Sequence, residues 1–196
     1  MLRAIKQLGL KSVLLFLSVV LWIPVASAQW QLDNSRSSLS FTTTKNGKVT
    51  EVHRFTGLSG SIAKSGDVTV SIDLLSVATG IDIRDERMRE FLFQTDQFAT
   101  ATVQASIAEV LKSVKSKTKI VEVEAELSLH GKTQPIALKL LATERGNQWV
   151  VSSIEPILIN AADYELAEGV EKLREIAELA SISEMVPVNF VLTFAK

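Results

Sequence analysis

The sequence predicts an all-β protein of about eight antiparallel strands, closed into a barrel or packed as a sandwich. Three observations support this fold class. Apolar and polar residues alternate in many segments of the 196-residue chain, and alternation gives a strand one buried and one solvated face. The links between these segments are short, which favours antiparallel neighbours because parallel strands need long crossovers. Turn-forming residues, above all glycine and asparagine, occupy the links.

The alternation is clearest in residues 68–74 and 121–129. Six further segments alternate more weakly and complete the eight predicted strands: residues 38–44, 48–55, 99–110, 136–142, 148–157 and 186–194. Asn46-Gly47 predicts a two-residue hairpin between the first two strands. Residues 57–60 contain two glycines and are also predicted to form a turn, with no strand of their own.

Two segments break the alternation and predict helices. Residues 84–93 place Met88, Phe91 and Leu92 at helical spacing, with charges on the other side. Residues 163–180 predict a longer helix with one apolar stripe and an acidic opposite face. That stripe comprises Leu166, Val170, Leu173 and Ile176, extended by Ala177 and Ala180. We expect the longer helix to pack across the barrel or its mouth.

The start of the chain predicts a secretory signal peptide over residues 1–28. Three basic residues precede an apolar run at 13–25, and the first carboxylate is Asp33. The run is too short to span a bilayer, and Ala26-Ser27-Ala28 suits a signal peptidase, so we expect cleavage after Ala28. Residues 29–196 then form one secreted, periplasmic domain without stable membrane insertion. The signal also explains the high mean hydropathy of +0.22.

Composition excludes several functions. The chain has no cysteine, so it forms no disulfide and offers no thiolate to a metal. It has a net charge of -1 and no basic cluster, which excludes a nucleic-acid partner. Neither histidine lies in a metal-ligand motif. We therefore expect His53 to be a surface or mouth residue and His130 a solvated turn residue, with no metal and no cofactor.

No enzyme signature is present in the sequence. Residues 57–60 lack the final glycine of a nucleophile elbow, and no glycine-rich phosphate loop occurs. Glu122, Glu124 and Glu126 lie on one face of a strand, as expected for a solvated exterior. The protein is therefore predicted not to be an enzyme. The alternative, chemistry on a lipid or quinone, has no catalytic group to support it.

Residues 76–102 form the most distinctive segment, with Arg84-Asp85 directly after a strand and three phenylalanines nearby. Two interpretations fit these residues. The segment is either a hydrophobic plug with a capping ion pair or the rim of a ligand site. The residues alone favour the plug.

An ordered set of short segments is similar to those of one known family. They are Trp30-Gln31-Leu32-Asp33, residues 57–62, 68–75, Thr79-Gly80, Arg84-Asp85, Met88-Arg89, Phe93, 98–101 and 127–133. Over about residues 29–195 the chain thereby resembles the YceI-like family of exported bacterial proteins. The resemblance implies a lipocalin-like barrel whose apolar interior holds an isoprenoid or similar long amphiphile. Residues 162–183 depart from the family pattern, and the predicted helix there looks like an insertion.

With this resemblance, the sequence predicts a periplasmic lipid-binding carrier. The expected apolar lining comprises Val70, Ile72, Leu74, Met88, Phe91, Phe93, Phe98, Val121, Val123 and Leu127. If the ligand has a charged head group, Arg84, Arg87 or Arg89 is expected to pair with it at the mouth. The alternative function is a stress-related interaction protein that docks partners through the acidic helix.

Overall fold

The computed structural model describes residues 28–108 and 117–196. The predicted signal peptide, up to residue 27, lies outside the described residues. The last two residues of the strand predicted at 99–110 also lie outside them.

The described residues form twelve strands and two α-helices. The strands are β1 (Ala28–Leu32), β2 (Ser38–Lys45), β3 (Val49–Phe55), β4 (Leu58–Ala63), β5 (Asp67–Asp73), β6 (Val77–Ala78), β7 (Thr100–Ser106), β8 (Thr118–Leu129), β9 (Lys132–Arg145), β10 (Gln148–Ser153), β11 (Ile157–Asn160) and β12 (Met185–Ala195). The helices are α1 (Asp82–Arg87), which continues as a π-helix over Met88–Phe93, and α2 (Ala167–Ile176). Short 3-10 turns occur at Asn34–Arg36, Leu74–Ser76 and Ala161–Tyr164.

Eight antiparallel strands close into a barrel in the order β1-β4-β5-β7-β8-β9-β10-β12, and β12 pairs back to β1. The predicted eight-stranded barrel is therefore confirmed. β12 also pairs with β2 through Val188 to Val191, and β2 carries β3 and β6 with it. Closure leaves no free edge in the ring, and it directs one side chain of every two into the interior.

The strand predicted at 148–157 is divided in the structure. It forms β10 and β11, and the break falls at residues 154–156, which include Pro156. Proline has no backbone N–H, so it cannot continue the ladder of hydrogen bonds. β11 then pairs with β12 at Ile157↔Val188.

The turn predicted at residues 57–60 was wrong for most of its length, because β4 begins at Leu58. β4 lies between β1 and β5 in the closed ring. A Cβ atom on Gly60 would lie 2.5 Å from the carbonyl oxygen of Thr69 on β5. The glycine therefore permits a close approach of two strands.

Both predicted helices are present with changed bounds. The first begins at Asp82 and adopts π geometry from Met88 onward. The second was predicted over 163–180 but is α-helical only over Ala167–Ile176. Glu165 and Glu178 adopt positive φ angles of 56° and 53°, which a right-handed helix cannot contain.

Gly169 lets α2 pack directly against the π-helical segment. A Cβ atom at this position would lie 2.6 Å from the carbonyl oxygen of Phe91 and 2.8 Å from the Cα atom of Leu92. Both atoms belong to the backbone, so a side-chain rotation cannot relieve the contact. The glycine, which weakens an isolated helix, is here required by packing.

Gly169→Ala is therefore expected to destabilise the fold. At an exposed helix position this change stabilises by about 1 kcal/mol, whereas here the overlap should lower the free energy of unfolding by about 1–3 kcal/mol. Urea denaturation of the variant, with Glu168→Ala at the adjacent exposed position as control, measures the difference. A stabilised Gly169→Ala protein would contradict this packing.

Candidate ligand-binding cavity

The barrel contains an apolar cavity of about 500 Å³. Inward-facing residues of the strands and the apolar stripe of α2 line it. Its volume lies within the range of small-molecule sites, which are typically apolar with a few convergent polar groups. The cavity is therefore large enough to hold a slender ligand in the interior of the barrel.

Seven of the ten predicted lining residues line the cavity. They are Val70, Ile72, Leu74, Met88, Phe93, Val123 and Leu127. All seven are buried, and Leu74 is the most completely enclosed, at 1% exposure. The period of two accounts for the common orientation of Val70 and Ile72 on β5 and of Val123 and Leu127 on β8. Their role in ligand binding remains a prediction.

The other three predicted lining residues do not line the cavity, for separate reasons. Phe91 lies on the π-helix and presents its carbonyl oxygen towards Gly169 of α2. The ring of Phe98 packs on His130, with ring centroids 4.4 Å apart. Val121 is only partly buried and lies opposite Leu140 of β9, outside the cavity lining.

Several lining residues were missed in the sequence. Phe41 and Phe55 stack with ring centroids 5.2 Å apart and both line the cavity, as do Phe190 and Phe194 of β12. Alternation in β2, β3 and β12 could have placed these rings inward. The stripe of α2 was identified as apolar, and Leu166, Val170, Leu173 and Ile176 all line the cavity. That placement needed the tertiary structure.

The polar residues of the lining converge on one end of the cavity. They are Thr43, Lys45, His53, Arg84, Arg87 and Ser183, which we call the polar wall. β2, β3 and α1 carry five of them, and the backbone N–H of Ser183 donates to Thr44 of β2 at 2.9 Å. No aspartate or glutamate among the described residues lines the cavity. The polar side chains at this end of the cavity are therefore mostly hydrogen-bond donors, and the rest of the cavity is apolar.

Arg84 connects α1 to β3. Its Nη1 atom donates to both carboxylate oxygens of Glu51, at 3.1 and 3.0 Å, and its Nη2 atom donates to the carbonyl oxygen of Thr79 at 2.7 Å. Lys45 also pairs with Glu51. Hydrogen bonds from Lys45 and Arg84 hold the pKa of the Glu51 carboxyl below its usual range, despite partial burial. Both terminal nitrogens of Arg84 are thus bonded to protein partners.

Asp85, expected to form a capping ion pair with Arg84, instead caps the preceding loop. Its Oδ1 atom accepts hydrogen bonds from the backbone N–H of Thr79, at 2.8 Å, and from the Thr79 hydroxyl. This carboxylate is 8% exposed and lies outside the cavity lining. It fixes the entry of the chain into α1.

The three arginines predicted for a head group have different surroundings. Arg89 does not line the cavity, because its guanidinium donates to the carbonyl oxygens of Leu75 and Val77 at 2.8 and 3.3 Å. Arg87 lines the cavity, and no ion pair or side-chain hydrogen bond of Arg87 is formed within residues 28–108 and 117–196. Of the three arginines, Arg87 is therefore the one whose whole guanidinium is available to a ligand.

His53 is not the surface or mouth residue that the sequence suggested. It is 3% exposed and lies in the cavity wall, beside the ring of Phe41. Its Nε2 atom lies 3.0 Å from the hydroxyl oxygen of Thr43. Burial, with the nearby positive charges of Arg84 and Lys45, lowers the pKa of His53, although Glu51 and Asp85 oppose the shift. The ring is therefore neutral at pH 7.

His130 is also buried, contrary to the expectation of a solvated turn residue. It is 9% exposed, and its backbone adopts a left-handed conformation with a φ of 50°. Its Nδ1 atom lies 3.2 Å from the carbonyl oxygen of Tyr164, whose own pKa is raised by burial. The β8–β9 turn is thereby fixed to the 3-10 turn that precedes α2.

The stability of the protein is expected to fall on acidification because of His53. Below about pH 6.5 the unfolded chain binds a proton at this histidine, whereas the folded state binds it only at lower pH. The free energy of unfolding therefore decreases as the pH falls from about 6.5 towards the folded-state pKa. Urea denaturation at pH 7.5 and 5.0 should show a smaller decrease for His53→Phe than for the native sequence. Identical pH dependence in both proteins would exclude this effect.

The fold and the cavity define the class of protein: a lipocalin-like antiparallel barrel with an apolar chamber. The model of the YceI-like domain matches residues 30–194. The chain belongs to the YceI-like family.

Solved structures agree with this assignment. A polyisoprenoid binding domain from Saccharophagus degradans, implicated in plant cell wall breakdown, is 40% identical, with a TM-score of 0.82 over 86% of this chain and 99% of that one. BcnA of Burkholderia cenocepacia is 17% identical, with a TM-score of 0.66 over 83% and 98% of the two chains. The YceI protein of Campylobacter jejuni is 14% identical, with a TM-score of 0.54 over 74% and 84%. The last two show the fold alone.

No curated protein has a significant sequence match to the chain. Residues 28–108 and 117–196 contain no group of three or more histidine, aspartate or glutamate residues arranged to hold a metal ion. Within the same ranges, no helix has the length and apolar character needed to cross a membrane.

Proposed function

We propose that the protein binds an isoprenoid-like chain, or another long apolar amphiphile, inside the barrel and carries it through an aqueous compartment. The observation that carries this proposal is the cavity of about 500 Å³ with its almost entirely apolar lining. The similarity to a polyisoprenoid binding domain over 86% of this chain supports it. Each 100 Å² of apolar ligand surface removed from water contributes about 2.5 kcal/mol to binding.

In the proposed orientation, the polar end of the ligand lies at the polar wall and its apolar chain lies in the apolar part of the cavity. Arg87 is the cation there that no carboxylate pairs with among the described residues. A charged head group would therefore find its hydrogen-bond donors at Arg87.

We also propose that the protein acts in the periplasm. Support comes from the first 28 residues, which have the basic start, short apolar run and small-residue site of a secretory signal. The carrier role needs no catalytic group, and the proposed activity is binding.

Filling the cavity is expected to abolish binding. Ala101 lines the cavity and is 4% exposed, so Ala101→Phe places a ring in the path of the ligand. Farnesol serves as the probe, titrated against the protein by isothermal calorimetry. We expect its affinity to fall at least about tenfold, which corresponds to about 1.4 kcal/mol.

The matched control is Ala137→Phe, an identical change at an exposed position on β9. It should bind farnesol as the native sequence does. Native mass spectrometry of protein purified from its host should show a co-purified apolar molecule that Ala101→Phe loses. Farnesol binding that is unchanged in Ala101→Phe would place the ligand outside the barrel.

Arg87→Ala is expected to weaken binding of farnesyl phosphate about tenfold, or about 1.4 kcal/mol, while farnesol binding stays unchanged. Only the phosphate carries the charge with which the guanidinium pairs. Arg54→Ala, which removes an exposed arginine of β3, is the control and should affect neither probe. Equal losses for both probes in Arg87→Ala would show that Arg87 contributes packing alone.

A further inference from the structure

Two buried polar atoms of the polar wall have no hydrogen-bond partner. They are Nδ1 of His53 and Nε of Arg84. Both residues line the cavity. They also lie near the same carboxylate, because Arg84 bonds to Glu51 and His53 follows Glu51 by two positions on β3. An unsatisfied buried polar group costs about 1–3 kcal/mol. Such a group in a folded protein needs a physical explanation, and the position of both residues in the cavity wall favours a bound ligand.

The chemistry of the two atoms specifies what they would bind. Arg84 Nε can only donate, and the terminal nitrogens of the same guanidinium are already bonded to Glu51 and Thr79. The ring of His53 is neutral at pH 7, so it carries one proton. When the Thr43 hydroxyl donates to Nε2, that proton lies on Nδ1, which then donates as well.

We propose that His53 and Arg84 form a hydrogen-bonding subsite in the cavity wall for an acceptor oxygen on the bound amphiphile. Thr43 is a positioning residue, since its hydroxyl sets the orientation and proton of the His53 ring. Glu51 holds the guanidinium of Arg84 in place. The inference deepens the proposed function and rests on it, because the apolar chain must occupy the barrel for its oxygen to reach this wall.

Charge favours an acceptor over a donor or a cation at this wall. Lys45, Arg84 and Arg87 line the cavity, whereas no carboxylate among the described residues does. An ammonium group would be repelled by these cations and would leave both orphan donors unpaired. An oxygen of a carbonyl or of a phosphate can accept from them. Both ligands present an oxygen acceptor at one end of an apolar chain, and the experiment distinguishes an uncharged carbonyl oxygen from a charged phosphate oxygen.

The test compares three probes that share an isoprenoid chain: the ketone farnesylacetone, its hydrocarbon lacking the oxygen, and farnesyl phosphate. Affinities are measured for the native protein and for His53→Phe, which keeps a ring of similar shape without hydrogen-bonding atoms. We expect ketone affinity to fall about tenfold in His53→Phe, and hydrocarbon affinity to stay the same or rise. Thr43→Val should reproduce a smaller ketone-specific loss, and His53→Gln, which restores a donor, should recover part of it.

Farnesyl phosphate tests whether the subsite accepts a phosphate oxygen as well as a ketone oxygen. A loss in His53→Phe for the ketone alone assigns the subsite to an uncharged oxygen, whereas a loss for the phosphate as well extends it to head groups. Equal changes for ketone and hydrocarbon, or no change for either oxygen-bearing probe, would overturn the subsite.

A measurement on the native protein keeps the inference testable if a variant fails to fold. The infrared carbonyl band of bound farnesylacetone should lie at lower frequency than in an alkane solvent, because hydrogen bonds weaken the C=O bond. A band at the alkane frequency would overturn the subsite while leaving the carrier function intact. Failure of all three probes to bind the native protein would instead overturn the carrier function and the subsite together.

Discussion

The backbone ladder of β12 is the interaction on which the rest of the structure depends. This strand pairs with β10 and β11 along one edge and with β1 and β2 along the other. Its Phe194 end closes the ring, whereas its other end carries β2, β3 and β6 away from that closure. Helical residues such as Met88 and Val170 complete the lining where strands do not. One strand therefore sets both the enclosure of the cavity and the position of its polar wall.

The cavity is polar at one end and apolar elsewhere, because burial stabilises aliphatic side chains but destabilises charges that lack a partner. Most of the lining can be apolar without compensation, whereas the cations need partners. Glu51 supplies one partner to both Lys45 and Arg84, and so permits two cations beside an apolar chamber. Arg87 and the neutral ring of His53 complete this wall. A ligand with one polar end therefore has a preferred orientation.

Sequence patterns predicted the strands and the inward apolar residues where alternation is regular, as in β5 and β8. They failed where a local signal had two physical causes. Gly60 suggested a turn, but it permits close strand approach. His53 suggested a surface residue, because the sequence around a lone histidine in a strand does not show which residues pack against it. Phe98 suggested a ligand contact, whereas its partner His130 is 32 positions further along the chain and lies in another turn.

The sequence by itself determined the all-β, antiparallel barrel class of the fold and the two helical segments. These properties follow from periodicity and turn chemistry, which are local. The tertiary structure alone decided that the α2 stripe lines the cavity, that Arg84 and Arg89 bond to protein atoms while Arg87, within the described part of the chain, does not, and that His53 is buried beside Thr43. Each of these depends on contacts between distant segments, and a side chain's partners are fixed only when the ring closes.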